Sequence, residues 1–565
     1  MKVSDPVIGS APSGAPQHWH AIDWQRVQRN VRGTQLRIAK ATQEGKWRKV
    51  KALQRMLTRS LCGKMLAVRR VTENQGKRTA GVDRVLWKTP ERRWLAIGEL
   101  KRRGYRPSPL RRVWIPKANG KERPLGIPTM RDRAMQALYL LALEPVAESS
   151  SDPNSYGFRN NRSTADAMGQ LFVSLSRQGS PAWVLEADIK GCFDYLNHDW
   201  LVAHVPMDTG ILRKWLKAGT IHKGQLQATE AGTPQGGIIS PTLANMALNG
   251  LESQLARHFT AKLGVAKAKK LKVHVVRYAD DFVITGTSKE VLEREVKPWV
   301  VAFLAQRGLQ LSAEKTRTVS IDEGFDFLGW NFRKYRGTLL IKPSKKNVQA
   351  FYRKVKEAIS THKTARQEDL IRLLNPILRG WANYHSPVVA KATFSRMDHL
   401  VFRAIWRWSR RRHPRKSPIW VKKRYFPPCG NRNWVFATTA TKDNGRKAWV
   451  ALNQLSDTAI RRHIKVRGSY NPFDPADEQY GEKLRQARML HDMRHRQQWT
   501  ALYRSQLGLC PVCKEAITRE TGWHDHHIEH RVRGGSNALA NRVLLHPCCH
   551  VQVHRLGLTV VKPAP

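Results

Sequence analysis

Acidic residues are scarce in this chain: 44 Asp and Glu stand against 99 Lys and Arg among 565 residues, a formal charge of +55. Self-repulsion on that scale opposes a compact state unless a polyanion offsets it, so nucleic acid is the expected partner. An anionic membrane surface fits less well, because the cations run through the whole length and are not gathered on one amphipathic helix. Long apolar runs are also missing. The stretch 134–146 has the length of a core helix rather than a bilayer span, and residues 1–17 lack the apolar segment of a signal peptide. No membrane partner and a bacterial cytoplasmic location are therefore expected. Cysteine is sparse and uneven: Cys62, Cys192 and Cys429 are isolated, while Cys510, Cys513, Cys548 and Cys549 cluster late in the chain. That distribution argues for a metal site and against a disulfide framework.

Hydrophobic residues make up 41% of the chain, enough for real cores, and the length calls for several domains. Residues 1–20, rich in Gly, Pro and Ser, read as disordered, and 22–75 read as basic helices. Residues 111–128 are extended around a hairpin-like turn at 118–121, and 131–147 form a helix. The run 183–188 reads as a buried strand that ends in an acid, and 236–255 reads as a glycine-led helix. Strands and helices alternate through this part, which predicts an α/β or α+β catalytic domain. From about 346 the chain turns helical and very basic; across 403–424 cations interleave with Trp406, Trp408 and Trp420, a pattern suited to phosphate contacts and aromatic packing. Residues 470–500 read as a linker.

The most informative residues are Tyr278-Ala279-Asp280-Asp281, two adjacent carboxylates between β-branched, strand-like flanks. Like charges there repel unless a cation neutralises them, and oxygen ligands favour magnesium. With Asp188 they make three carboxylates from two strands, able to hold two magnesium ions roughly 3.5–4 Å apart for phosphoryl transfer. Lys117 and Arg123, on the hairpin, are cations able to clamp a triphosphate. The segment 232–237 has little side-chain bulk, allowing close backbone approach to a base pair or template. Asp194 reads as a helix-capping or structural acid.

Seven blocks then occur in order: IPKANGKERPLGIPT, SYGFRNNRST, EADIKGCFDYLNH, GTPQGGIISPTLANMALNGLE, RYADDFVI, LSAEKT and FDFLGW. Their order resembles the reverse transcriptases encoded by bacterial group II introns, and LNPILRGWANYH resembles the maturase, or thumb, region of that family. The resemblance implies a right-hand polymerase with fingers and an antiparallel or mixed palm sheet, a helical thumb, and a basic DNA-binding region. It makes Asp188, Asp280 and Asp281 the metal ligands, with the Ile189 carbonyl as an added oxygen. Lys117 and Arg123 match triphosphate-binding positions, and Phe193 matches the gate against a ribose 2′-hydroxyl. Gln235 falls at the nascent base pair, and Lys315 matches the lysine of the LSAEKT block.

At the other end, Cys510-x-x-Cys513 and His546-x-x-Cys549 repeat a zinc spacing, with Cys548 as the alternative fourth ligand. The intervening Asp525-His526-His527, Asn541, His550 and His554 resemble the HNH nucleases found at the C-terminus of many group II intron proteins. By that pattern His527 is the general base, while His526, His550 and His554 hold magnesium or another divalent metal, and Asn541 orients the base through its loop. His524 and His530 read as surface residues. The expected domains are 1–20 disordered, 21–80 helical, 81–345 fingers and palm, 346–425 thumb, 426–495 DNA-binding region and linker, and 496–565 a zinc-containing ββα nuclease unit. The implied function combines RNA-directed DNA polymerase, splicing maturase and second-strand nuclease, with intron RNA, target DNA and deoxynucleoside triphosphates as partners. A retron or defence reverse transcriptase and a catalytically inactive splicing factor are the alternatives. Dimerisation is not legible.

Overall fold

A four-stranded antiparallel sheet holds the middle of the chain in the computed structural model, which describes residues 15–116, 122–441, 447–493, 497–529 and 535–563. Val275–Tyr278, Asp281–Gly286, Trp183–Asp188 and Arg317–Ser320 lie side by side in that order. Successive strand residues point to opposite faces. Leu185, Ala187, Phe282 and Ile284 enter one core, and Val184, Val276 and Val283 enter another. Burial of both faces is why these strands read as continuous apolar runs rather than alternating ones.

The first core is organised around Met130–Ser150, which is buried on nearly every side and capped by Thr129. A helix apolar around its circumference belongs inside. Trp24–Gln43, Trp47–Arg59 and Leu61–Glu73 pack on it with their apolar stripes, leaving most of their cations outside, with Arg69 as a buried exception. The glycine-led segment expected as one helix is two, Ser240–Leu248 and Leu251–Leu263, because Gly250 adopts φ 93° between them. A left-handed residue cannot continue a right-handed helix, and glycine takes that conformation without a Cβ clash. Above this core, Leu110–Pro116 and Glu122–Ile127 form the expected hairpin; the first strand also runs parallel to Thr220–His222, giving a small mixed sheet. The turn at 118–121 lies outside the described residues.

The second core joins the other sheet face to Phe325–Phe327, Trp330–Tyr335 and Thr338–Pro343, and to the helices Lys345–Thr361, Gln367–His385, Lys391–Arg412 and Pro418–Tyr425. Trp408 is buried in it, with Trp406 and Trp420 packed against it, while Arg403, Arg407, Arg410 and Arg411 stay exposed. The aromatic residues of this basic stretch thus serve the core, and the cations form the outer surface.

Two stretches differ from their composition-based reading. Within the segment read as disordered, Ala15–His20 is helical and buries Trp19, whose large apolar side chain is held in the first core; residues 1–14 lie outside the described set. The segment read as a linker contains the helix Glu478–Met493, pinned by Arg488, which ion-pairs with the buried Asp166 at 2.8 Å. Charge pairing with a distant acid, invisible in local composition, folds it. The C-terminal unit has the expected ββα order, His524–His527, Arg542–Leu545 and Pro547–Leu556. No helix among the described residues is long and apolar enough to cross a membrane.

Candidate active sites and a cysteine–histidine cluster

Tyr278 pairs with Asp281, so only Ala279 and Asp280 form the turn between the two strands. Asp280 sits at the tip; Asp281, expected beside it there, is the first residue of the returning strand and lies in register with Asp188. Ala279 takes φ 58°, a left-handed conformation unusual for a residue with a Cβ. Arg277 enforces it. Its buried guanidinium donates to the Ala279 carbonyl (3.1 Å), Asn245 Oδ1 (3.0 Å) and Asn249 Oδ1 (3.2 Å). Burial raises the Asp280 carboxyl above its ordinary range, and Asp188 adds to the shift. Burial, Asp280 and a hydrogen bond to Asp188 push Asp281 up to about 7. Three carboxyl groups drawn together here, two of them reluctant to ionise, fit a hard divalent cation.

The surrounding residues arrive from several separate segments. Lys315 Nζ lies 2.6 Å from Asp188 Oδ2, so this lysine is placed on the acid itself. Arg123 is exposed on the hairpin, and its charge lowers Asp280's pKa against the larger effect of burial. Lys117 lies outside the described residues. Ile189 is buried and bridges antiparallel to Leu311, while Ser312 N donates to the Asp188 carbonyl at 2.8 Å. Phe193 is half-buried in the short helix after Asp188, and Gln235 Nε2 reaches Asp194 Oδ1 at 3.4 Å. The glycines of 232–237 are needed by the chain's own backbone. A Cβ on Gly232 would lie 2.5 Å from the Phe193 carbonyl oxygen, and one on Gly236 would lie 2.8 Å from that of Gly126. The loop therefore ties the hairpin to the helix that carries Phe193.

In the C-terminal unit, Cys510, Cys513, His546 and Cys549 are all buried, and their ligand atoms lie within 4.8 Å of one another. His546 Nε2 donates to the Ala516 carbonyl (3.1 Å), which leaves Nδ1 facing Cys513 Sγ at 3.2 Å. A histidine fixed in that tautomer by a carbonyl suits a metal ligand. Hydrogen bonds from Cys513 and Cys549 hold the Cys510 thiol far below its ordinary range. Three sulfurs and one nitrogen fit tetrahedral zinc. Cys548 points elsewhere, taking Arg69 Nη2 at 2.6 Å.

His526, His550 and His554 form a second group within 4.8 Å, with His550 and His554 Nε2 atoms 3.2 Å apart. The imidazole donor set fits a divalent transition metal. His527 follows His526 on the strand and so faces the other side. Its Nε2 donates to Asn537 Oδ1 at 2.8 Å. Asn541 closes the loop by accepting from Glu529 N (2.8 Å) and donating to the carbonyls of Glu529 (3.0 Å) and Ser536 (2.9 Å). His524 is exposed, and its ring lies 5.1 Å from that of His550; His530 lies outside the described residues.

Sequence reading missed Arg277 and Asn537. Arginine inside an apolar strand flanking an acidic turn was an available signal for the first; the second, an asparagine in a polar loop, offered none.

Family models match four consecutive parts of the chain. Residues 115–332 match reverse transcriptase (RNA-dependent DNA polymerase), and 19–100 the N-terminal domain of reverse transcriptase. Residues 348–426 match the group II intron, maturase-specific domain, and 510–556 match HNH endonuclease. The chain is 35% identical over 305 residues to protein YkfC of Escherichia coli (strain K12), covering 46% of this chain and 78% of that protein. It is 31% identical over 336 residues to the group II intron-encoded protein LtrA of Lactococcus lactis subsp. cremoris, covering 48% of this chain and 55% of LtrA. An uncharacterized 91 kDa protein in the cob intron of Schizosaccharomyces pombe is 27% identical over 386 residues, covering 54% and 47% of the two chains. The chain thus spans about half the length of the latter two relatives.

Proposed function

From the premise that this chain belongs to the group II intron-encoded reverse transcriptase/maturase family with an HNH endonuclease domain, we propose that it copies intron RNA into DNA at a nicked target, nicks the second DNA strand, and assists splicing of its intron. One observation carries the polymerase reading: Asp188 and Asp281 face each other in register, with Asp280 on the adjoining turn. Magnesium ions held by these carboxylates and the Ile189 carbonyl would supply activation of a primer 3′-hydroxyl and neutralisation of the departing pyrophosphate.

The chain's own residues do the rest. Arg123, with Lys117, binds the triphosphate; Arg presents a fork of donors and Lys a point charge. Phe193 closes off space beside the sugar 2′ carbon and favours deoxynucleotides. Gln235, on the loop tied to both the hairpin and the Phe193 helix, abuts the nascent base pair. Lys315 balances charge at Asp188 and exchanges toward the nucleotide when the site fills. The antiparallel sheet serves as palm, the 110–127 hairpin as fingers, the helices of 346–425 as thumb and maturase surface, and 426–495 as the DNA-binding region.

In the nuclease, His527 accepts the proton of the attacking water while the Asn537 contact fixes its ring, and Asn541 holds the loop. His526, His550 and His554 are the ligands for the divalent ion at the scissile phosphate. Cys510, Cys513, His546 and Cys549 hold a structural zinc. The exposed cations of the helical region supply phosphate contacts for RNA.

Primer extension on an RNA template tests the polymerase: wild type extends with deoxynucleotides and Asp280→Ala does not. Unchanged synthesis in Asp280→Ala refutes the site. For the nuclease, second-strand nicking that survives His527→Ala refutes that residue as base.

A further inference from the structure

Phe158 is out of keeping with its surroundings. The residues flanking it are locked in place. Tyr156 is wholly buried, and its N–H donates to the Arg277 carbonyl at 2.9 Å. Asn245 Nδ2 donates to the Gly157 carbonyl at 2.7 Å. A Cβ on Gly157 would fall 2.3 Å from the Ala279 nitrogen, so this loop lies directly against the turn that carries Asp280. On the far side, the Arg159 guanidinium is buried and donates to both oxygens of Glu148 and to the carbonyls of Asp152 and Ser155. Between these anchors Phe158 adopts φ 55° and leaves 54% of its surface in solvent. A bulky residue in the left-handed region is strained, and an exposed Phe gains little from burial. Folding alone accounts for neither property.

The ring has one aromatic neighbour among the described residues. Phe158 meets Phe193 edge-on, with centroids 6.1 Å apart and planes at 79°. Edge-to-face contact between two rings restricts the rotation of both. Phe193 is half-buried on a short helix. Its ring can turn away from a bulkier sugar unless something blocks that movement. Phe158, strained into position by a rigid loop, is the ring that meets it.

We propose that Phe158 is a positioning residue for sugar selection, a second ring that stops Phe193 from yielding to a ribose 2′-hydroxyl. The inference rests on the polymerase reading and on Phe193 as the gate. Asp280, Phe158 and Phe193 then form one unit, since Gly157 joins the acidic turn to the loop that backs the gate.

The test is single-nucleotide incorporation on a primed RNA template by the full-length protein, with kcat and KM measured for dNTP and rNTP. Phe158→Ala should lower dNTP-over-rNTP discrimination by about tenfold, the range that a change in side-chain bulk in a pocket commands. Most of that should appear as a lower KM for rNTP. Phe158→Tyr, which keeps the ring, should restore discrimination. In a Phe193→Ala background the Phe158→Ala change should alter discrimination by less than twofold. Equal discrimination in wild type and Phe158→Ala overturns the proposal while leaving the polymerase reading intact. Loss of synthesis in both Phe158→Ala and Phe158→Tyr also overturns it, since a ring of this size must be accepted there. A wild-type protein that extends no primer instead refutes the polymerase reading.

Discussion

Asp188 and Asp281 sit opposite each other on adjacent antiparallel strands, their carboxyl groups joined by a hydrogen bond. Burial and its acidic neighbours keep the Asp281 carboxyl protonated toward neutral pH, and a divalent cation must displace that proton. Asp281, raised to about 7 by burial, Asp280 and Asp188, favours the folded state at low pH and withdraws that support as pH rises through 7. Cation binding runs the other way, since it needs both groups ionised. The thermal stabilisation produced by magnesium should therefore be larger at pH 8 than at pH 6. Asp281→Asn should raise the melting temperature in metal-free buffer at pH 8 and abolish the pH dependence of the magnesium effect. A magnesium shift with the same slope in both proteins would show that this pair is not the binding site.

Arg277 should behave as a structural determinant of activity without touching any ligand. It is buried, and burial lowers its pKa to about 10. Its donors satisfy Asn245, Asn249 and the Ala279 carbonyl. Arg277→Met leaves the buried Asn245 oxygen and Ala279 carbonyl, and the half-buried Asn249 oxygen, without their donor, at a cost of about 3–5 kcal/mol. Denaturant unfolding should show that loss. Primer extension below the unfolding transition should fall at least tenfold, because Ala279 is no longer held at positive φ. Full activity at normal stability would contradict the role.

What sequence makes legible here is local. Strands flank the acidic turn because β-branched residues crowd both sides, and the cysteine–histidine cluster follows from two equal spacings. The rest depends on partners far along the chain. Asp281 moves from the turn to the strand because Arg277 tightens the turn to two residues, using two asparagines at the end of the Ser240–Leu248 helix. The bulk-free loop at 232–237 is readable as a place of close approach, yet what approaches is the carbonyls of Phe193 and Gly126. Glu478–Met493 looks like a linker because the acid that fixes it, Asp166, lies more than three hundred residues earlier.

Arg69 should hold the nuclease unit to the N-terminal helices. It donates to Cys548 Sγ (2.6 Å) and Glu73 Oε2 (3.1 Å) and lies 4.7 Å above the Trp24 ring. Gln552 adds hydrogen bonds to the carbonyls of His20 (2.7 Å) and Ile22 (3.0 Å). Arg69→Ala leaves a thiol and a carboxylate without their cation at a closed interface. Amide hydrogen exchange across 497–563 should accelerate, with exchange in the central sheet unchanged. Identical exchange in the two proteins would mean that the arginine does not contribute to docking.

Zinc content should separate the two adjacent cysteines. Cys549 faces the buried cluster, whereas Cys548 faces Arg69. Cys549→Ser should reduce bound zinc from one ion per chain to a small fraction and destabilise the C-terminal unit. Cys548→Ser should retain the ion. The reverse pattern in elemental analysis would reassign the fourth ligand.

His385 should make the helical region sensitive to mild acid. It is fully buried between Trp381, Tyr384 and Trp330, with Nε2 donating to Asn347 Oδ1 at 2.9 Å and Nδ1 without a partner among the described residues. Burial lowers its pKa to about 4. The unfolded chain binds a proton at the ordinary value of 6.5, so the stability this group supplies is complete above 6.5 and is lost as pH falls through about 4. A depression of this size corresponds to about 3 kcal/mol. His385→Gln can still donate to Asn347 and does not titrate. Unfolding midpoints measured between pH 7.5 and 4.5 should fall less steeply for the variant than for wild type. Parallel profiles would assign the acid sensitivity to other groups.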